Sequence, residues 1–85
     1  MKFETVWLDR GRPSFDALPA HARDQVAALI DAICENPGMG TPDLMERTPS
    51  MSGPTLVATA GPAVVWYQVI EDAEIIRPVW CAWRG

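Results

Sequence analysis

The pattern of hydrophobic and polar positions is clearest in the C-terminal third of the chain. Residues 63–70 and 74–83 form two runs of mainly β-branched, aromatic and apolar side chains, which pack well on a half-buried pleated surface. The polar segment 71–73 between them is short enough to reverse the chain directly. We therefore expect a β-hairpin, with both strands paired antiparallel at the centre of a sheet.

The register of this hairpin decides which polar side chains face each other. One pairing places Tyr67 opposite Arg77, and a slip by one residue places Gln68 there instead. Such a slip changes every contact between the two strands. The sequence leaves both registers open.

A second pattern predicts an amphipathic helix over residues 20–35. Its apolar residues recur at spacings of three and four, and most of its charged residues fall elsewhere. Pro19 suits the start of a helix, where its missing N–H costs nothing. Asn36, Pro37 and Gly38 supply a C-terminal stop. The apolar positions are Ala22, Val26, Leu29, Ile30, Ile33 and Cys34.

The remaining segments complete a β-α-α-β-β-β order. Residues 2–8 predict a first strand near a sheet edge, and Ser14 is the expected N-cap of a short helical turn over residues 15–18. Residues 39–54 predict a long loop with a helical turn at 43–47, and residues 55–60 a further strand. We expect a single domain over residues 1–85 with a two-layer α+β fold, its helices packed on a small, mainly antiparallel sheet.

Charge and cysteine content limit the functions that the chain is expected to have. Seven lysines and arginines against eleven acidic residues give a net charge of −4, which disfavours general nucleic-acid binding because that affinity comes mainly from cations. Cys34 and Cys81 lie in apolar runs, as expected for reduced core thiols in a reducing compartment. There is no metal-ligand spacing, cofactor motif or membrane-spanning run, so we expect a cytoplasmic protein without a cofactor.

Several segments together carry a family resemblance. They are FDALP at residues 15–19 ahead of the amphipathic helix, ENPG at 35–38, Gly61, VWYQVI at 65–70, and IIR at 75–77 with Arg84 near the chain's end. This series resembles the RelE/ParE superfamily of small bacterial toxins, and the likeness covers most of the chain outside residues 39–54. Members of that superfamily are neutralised by an antitoxin protein. Some cleave messenger RNA on the ribosome, and others inhibit DNA gyrase.

The resemblance implies a catalytic set of Tyr67, Arg77 and Arg84. Tyr67 matches the family's strand tyrosine, Arg77 lies on the last strand, and Arg84 matches the terminal basic residue. RNA cleavage needs proton transfer and a cation to stabilise the charged phosphorane, which tyrosine and arginine supply. Without the resemblance, the residues themselves indicate structural roles. Tyr67 is then a buried strand aromatic, Arg77 part of a structural ion pair, and Arg84 a solvated side chain.

Four tryptophans in 85 residues are unusual for a small core. Trp66, Trp80 and Trp83 fall in the hairpin, where they either build a heavy core or leave an apolar patch for an antitoxin or a second copy of the chain. His21, the sole histidine, is expected at the surface of the main helix.

Three functional hypotheses follow from these features. The leading hypothesis is a toxin-like component of a toxin–antitoxin pair. The second is a ribosome-dependent mRNA endonuclease, and the third is a non-enzymatic interaction domain that kept the fold. Nuclease members commonly carry an arginine ahead of the strand tyrosine, whereas residues 63–65 contain no cation. This absence and the acidic charge favour the third hypothesis over the second.

Overall fold

A computed structural model of the protein describes residues 2–42 and 55–85. Its longest helix spans the sixteen residues in which apolar side chains recur at helical spacing, with the predicted bounds. The elements in chain order are β1 (Glu4–Thr5), α1 (Gly11–Asp16), α2 (Ala20–Glu35), a 3-10 turn (Pro37–Met39), β2 (Thr41–Pro42), β3 (Leu56–Ala60), β4 (Ala63–Ile70) and β5 (Ile75–Trp83).

The strands of the described residues form one five-stranded sheet in the order β1-β5-β4-β3-β2. β1 runs parallel to β5, and the other neighbours pair antiparallel. β1 lies at an edge, as predicted, although it is shorter than residues 2–8. Backbone hydrogen bonds from Val6 N–H to Ile76 O and from Leu8 N–H to Pro78 O continue its contact with β5. The α+β fold class predicted from the sequence is confirmed.

The core lies between α2 and one face of the sheet. Val26 and Ile33 of α2 are fully buried, and Val65 and Tyr67 of β4 face them from the sheet. Because side chains alternate between the two faces of a strand, every second residue of β4 points toward the helices. Cys34 and Cys81 are buried free thiols in this core, as predicted.

The central hairpin has the second of the two registers predicted above, in which the pairing is shifted by one residue. Gln68 pairs with Arg77, and Tyr67 pairs with Pro78. Trp66 pairs with Trp80, so Val79 is an extra residue that forms a β-bulge. The reversal uses four residues, 71–74, rather than three, and Glu74 adopts a left-handed conformation with φ of 55°.

The first helix differs from its prediction. α1 begins at Gly11, and Ser14 lies inside it, so the predicted N-cap role of Ser14 is wrong. The Ser14 hydroxyl donates to Gly11 O at 2.7 Å and accepts from Cys81 N–H at 2.9 Å. Ser14 therefore joins α1 to β5, and a Cβ on Gly11 would overlap the Pro78 carbonyl oxygen. This tertiary contact fixes where the helix lies.

The segment that follows α2 contains more regular secondary structure than predicted. Residues 37–42, part of which was expected to be loop, contain the 3-10 turn and the short edge strand β2. The helical turn expected at residues 43–47 lies outside the described residues. Within residues 2–42 and 55–85, no helix has the length and apolar character that a membrane crossing requires.

Candidate functional site

The central hairpin presents different side chains on its two faces. Toward the helices it contributes core residues such as Val65 and Tyr67. The opposite face, which we call the second face, carries Trp66 and Gln68 from β4 and their partners Trp80 and Arg77 from β5. Gln68 is buried, Arg77 and Trp66 are half-buried, and Trp80 is 48% exposed. The second face is the candidate site.

Tyr67 lies on the helix side and its hydroxyl bonds to the backbone. The ring is fully buried. The O–H donates to Pro37 O at 2.8 Å, and the oxygen accepts from Gly40 N–H at 2.9 Å. Burial raises the pKa of the Tyr67 phenol, and the Gly40 N–H bond lowers it in part. This geometry favours a structural role, in which Tyr67 attaches the segment after α2 to the sheet.

Tyr67, Arg77 and Arg84 do not share one face of the sheet. Arg77 belongs to the second face, whereas Tyr67 points into the core. Arg84 is exposed beyond the end of β5, where its backbone N–H bonds Pro62 O at 2.8 Å. A catalytic role for these three residues stays a prediction, and their separation is evidence against their acting as one cluster.

Gln68 is a residue of the second face that the sequence did not single out as functional. It is only 4% exposed, and its Oε1 is a buried side-chain oxygen without a hydrogen-bond partner in the described part of the chain. A buried acceptor left unpaired is costly, so such atoms commonly mark a ligand or strain. The signal in the sequence was a lone amide within the apolar run 63–70.

The hairpin tryptophans divide between the two faces. Trp66 and Trp80 are cross-strand partners on the second face. Trp83 packs against the core on the helix side, and the exposed His21 meets its ring edge-on with centroids 5.5 Å apart. Two of the three tryptophans predicted to bind a partner therefore lie together, and the third does not.

The second face supplies a limited set of chemical groups. Its described hairpin residues offer two indole rings, a guanidinium and a carboxamide, but no histidine or tyrosine. Arginine stabilises anionic charge, and indole rings stack on flat or apolar groups. The described side chains there can therefore bind an anionic or aromatic group, but they include no histidine, tyrosine or carboxylate to act as a general base.

Comparison with known structures identifies the fold. In the RelBE2 toxin–antitoxin complex of Mycobacterium tuberculosis, a chain 14% identical to this one superimposes with a TM-score of 0.80, over 99% of this chain and 100% of that chain. A chain of the intact Escherichia coli RelBE complex, also 14% identical, gives 0.73 over 98% of both chains. A chain of the archaeal RelE–RelB complex of Pyrococcus horikoshii OT3, 16% identical, gives 0.68 over 100% and 98%.

The chain therefore has a RelE-like toxin fold along almost its whole length. No protein-family model matches the sequence. No curated protein matches it either. At identities of 14 to 16%, the likeness is one of fold, while the side chains have diverged.

Proposed function

We propose that this chain is the toxin-like component of a bacterial toxin–antitoxin pair, neutralised by binding a protein antitoxin. The observation that carries this proposal is the match in fold, end to end, to chains of complexes described as toxin and antitoxin. The chain also keeps an exposed aromatic side chain, Trp80, beside Arg77 on the second face. Tryptophan and arginine are enriched where protein partners bind most tightly.

The side chains of the second face support a binding role more than nuclease chemistry. The Tyr67 hydroxyl is bonded to two backbone groups, and the described second-face hairpin residues include no general base. Our second candidate is therefore a non-enzymatic interaction domain with the same fold. A ribosome-dependent nuclease that uses Tyr67, Arg77 and Arg84 remains the third, and ribosome, RNA and homodimer contacts remain predictions.

Inducible expression in a bacterial host tests the proposal. The native chain is expected to arrest growth, and co-expression of the protein encoded by the neighbouring gene is expected to restore it. Arg77→Ala should reduce the arrest if the second face acts on the target. Arg10→Ala, which removes an exposed cation at the start of α1, is the matched control and should leave it unchanged.

The outcomes separate the three functions. Arrest that Arg77→Ala, Tyr67→Phe and Arg84→Ala each abolish, with folding intact, would favour the nuclease. Arrest lost only with Arg77→Ala favours a toxin whose second face binds its target. Soluble, folded native protein that never arrests growth would overturn the toxin proposal, and a binding assay with the neighbouring gene's product would then test the interaction domain.

A further inference from the structure

An apolar groove lies beside α2, on the opposite side of the core from the second face. It has a volume of about 310 Å³ and runs between the helix, the 3-10 turn and the end of β3. Buried Leu29 contributes to its lining, and Met39 beside it is 39% exposed. The other lining residues are Gln25, Ala28, Ala32 and Ala60. Because Ala28 and Ala32 are small, exposed residues of α2, a partner's backbone can approach the helix closely.

A row of carboxylates follows one rim of this groove. Asp24, Asp31 and Glu35 are exposed residues of α2. They lie three or four positions from Ala28 or Ala32, so they project beside those alanines, away from the core. Asp31 forms an ion pair with Lys2. The only arginine of α2, Arg23, falls on another side of the helix by the same spacing.

These charges are poorly placed for the stability of α2 itself. A helix is stabilised by acidic residues in its first turn and basic residues in its last turn, and α2 has neither. Instead, Asp31 and Glu35 stand near its C-terminus, where they oppose the helix dipole and repel each other at a spacing of four. Lys2, which pairs with Asp31 and also attracts Glu35, offsets part of this repulsion. Cations from a bound partner would offset more of it, and would also face Asp24. Departures from local rules of this kind are concentrated at functional surfaces.

We propose that this α2 groove receives a basic amphipathic helix of the protein partner. Aliphatic side chains of that helix, spaced three and four residues apart, fill the groove, and its lysines or arginines face Asp24, Asp31 and Glu35. A second copy of this chain fits less well, because a symmetric contact would bring two acidic rims together. The proposal rests on the proposed function for the existence of the partner, and adds the surface and the charge of the segment that binds.

Two matched pairs of variants test this assignment. Ala28→Trp fills the groove, whereas Ala27→Trp places the same ring on an adjacent exposed position outside it. Asp24→Lys with Glu35→Lys reverses the rim, whereas Asp9→Lys with Asp72→Lys makes the same change in total charge elsewhere on the exposed surface. Each full-length variant is titrated calorimetrically with the neighbouring gene's product, after its melting temperature shows that it is folded.

The expected result is selective for the groove. Ala28→Trp and the rim reversal should each weaken binding by about tenfold or more, as loss of a central interface contact does. The two control variants should stay within about threefold of native, because distant exposed charges are screened. Binding by the native chain should weaken as salt is added, and the rim reversal should remove most of that dependence. If the rim reversal fails to fold, Asp24→Asn with Glu35→Gln replaces it.

Three results would overturn the assignment. Equal binding by native chain and all folded variants would exclude the α2 groove while leaving the toxin–antitoxin proposal intact. No binding of the neighbouring gene's product to the native chain would overturn both proposals together. Sedimentation that shows a homodimer broken by Ala28→Trp, but not by Ala27→Trp, would identify a second copy of the chain as the occupant.

Discussion

Gln68 lies directly opposite Arg77 in the central hairpin, and this pairing places Arg77 and Tyr67 on opposite faces of the sheet. In the alternative register Tyr67 itself would lie opposite Arg77, and the two side chains would share a surface. In the observed register, the Arg77 side chain lies on the second face and the Tyr67 side chain lies in the core. A phosphate bound by Arg77 would therefore be separated from the Tyr67 hydroxyl by the sheet.

The first prediction concerns the Tyr67 hydroxyl. Tyr67→Phe should lower the free energy of unfolding by about 1–3 kcal/mol, because Gly40 N–H and Pro37 O each lose a hydrogen-bond partner. Urea denaturation followed by circular dichroism measures the change. Any growth arrest should persist at temperatures where the variant is folded, because the hydroxyl is bonded to backbone groups in the core.

A different result would change the role of Tyr67. If the variant is as stable as the native chain but causes no arrest, the hydroxyl acts on the target rather than on the fold. Hydrogen exchange at Gly40 provides a local check. Exchange at this amide should be faster in Tyr67→Phe, because the tyrosine oxygen is its acceptor.

Features of this fold that depend on neighbouring residues could be predicted from the sequence, and those that depend on distant contacts could not. The bounds of α2 were predictable because apolar spacing, Pro19 and Asn36 all lie within or beside the helix. The position of α1 was not, because it depends on Ser14 reaching Cys81 N–H, 67 residues away. The hairpin register depends on the bulge at Val79.

One signal in the sequence bears on that bulge. Pro78 has no N–H to donate to the strand ladder, and proline inside a sheet is mostly found at bulges and edges. Pro78 therefore marked where the pairing of β5 is interrupted. Which side chains share the second face depends on the hairpin register. Because the sequence allowed two registers, it allowed two sets of facing side chains. The α2 groove was not predictable, since it requires the position of β3 relative to the helix.

The second prediction uses two glycines as a matched pair. A Cβ on Gly11 would overlap the Pro78 carbonyl oxygen and press on the Trp7 ring, while a Cβ on Gly38 has no atom within 4 Å. Gly11→Ala should therefore cost about 1–3 kcal/mol of stability through overpacking. Gly38→Ala should be neutral or stabilise slightly, because it restricts the unfolded chain. Equal melting temperatures for the two variants would contradict the close approach of α1 to β5.

The third prediction concerns stability at alkaline pH. Burial raises the pKa of the Cys81 thiol from 9.0 to about 11, and the Ser14 hydroxyl lowers it in part. The folded chain therefore holds this proton more tightly than the unfolded chain. The resulting contribution to stability, up to about 2–3 kcal/mol, is complete below pH 9 and is lost as the pH rises toward 11.

Chemical denaturation at intervals between pH 8 and about 10.5 measures this slope. Cys81→Ala removes the titrating thiol, so the variant should lose less stability over the same interval than the native chain. Burial also raises the pKa of Tyr67, so its titration lowers stability at alkaline pH as well, beginning above its usual pKa of 10.0. This loss of stability remains in the Cys81→Ala variant. Identical slopes for variant and native chain would show that the thiol does not titrate differently on folding.

The fourth prediction separates the two tryptophans of β5. Trp80 is 48% exposed on the second face, whereas Trp83 packs against the core and His21. Trp83→Ala should lower stability by about 2–4 kcal/mol through loss of core packing, and Trp80→Ala by about 1 kcal/mol or less.

If the second face binds the partner, Trp80→Ala should nonetheless weaken that binding by about tenfold or more, because exposed tryptophans act as interface anchors. Unfolding curves and calorimetric titration with the neighbouring gene's product measure the two effects independently. Trp80→Ala that costs stability but leaves binding unchanged would remove the second face from the interface and leave the α2 groove as the surface to test.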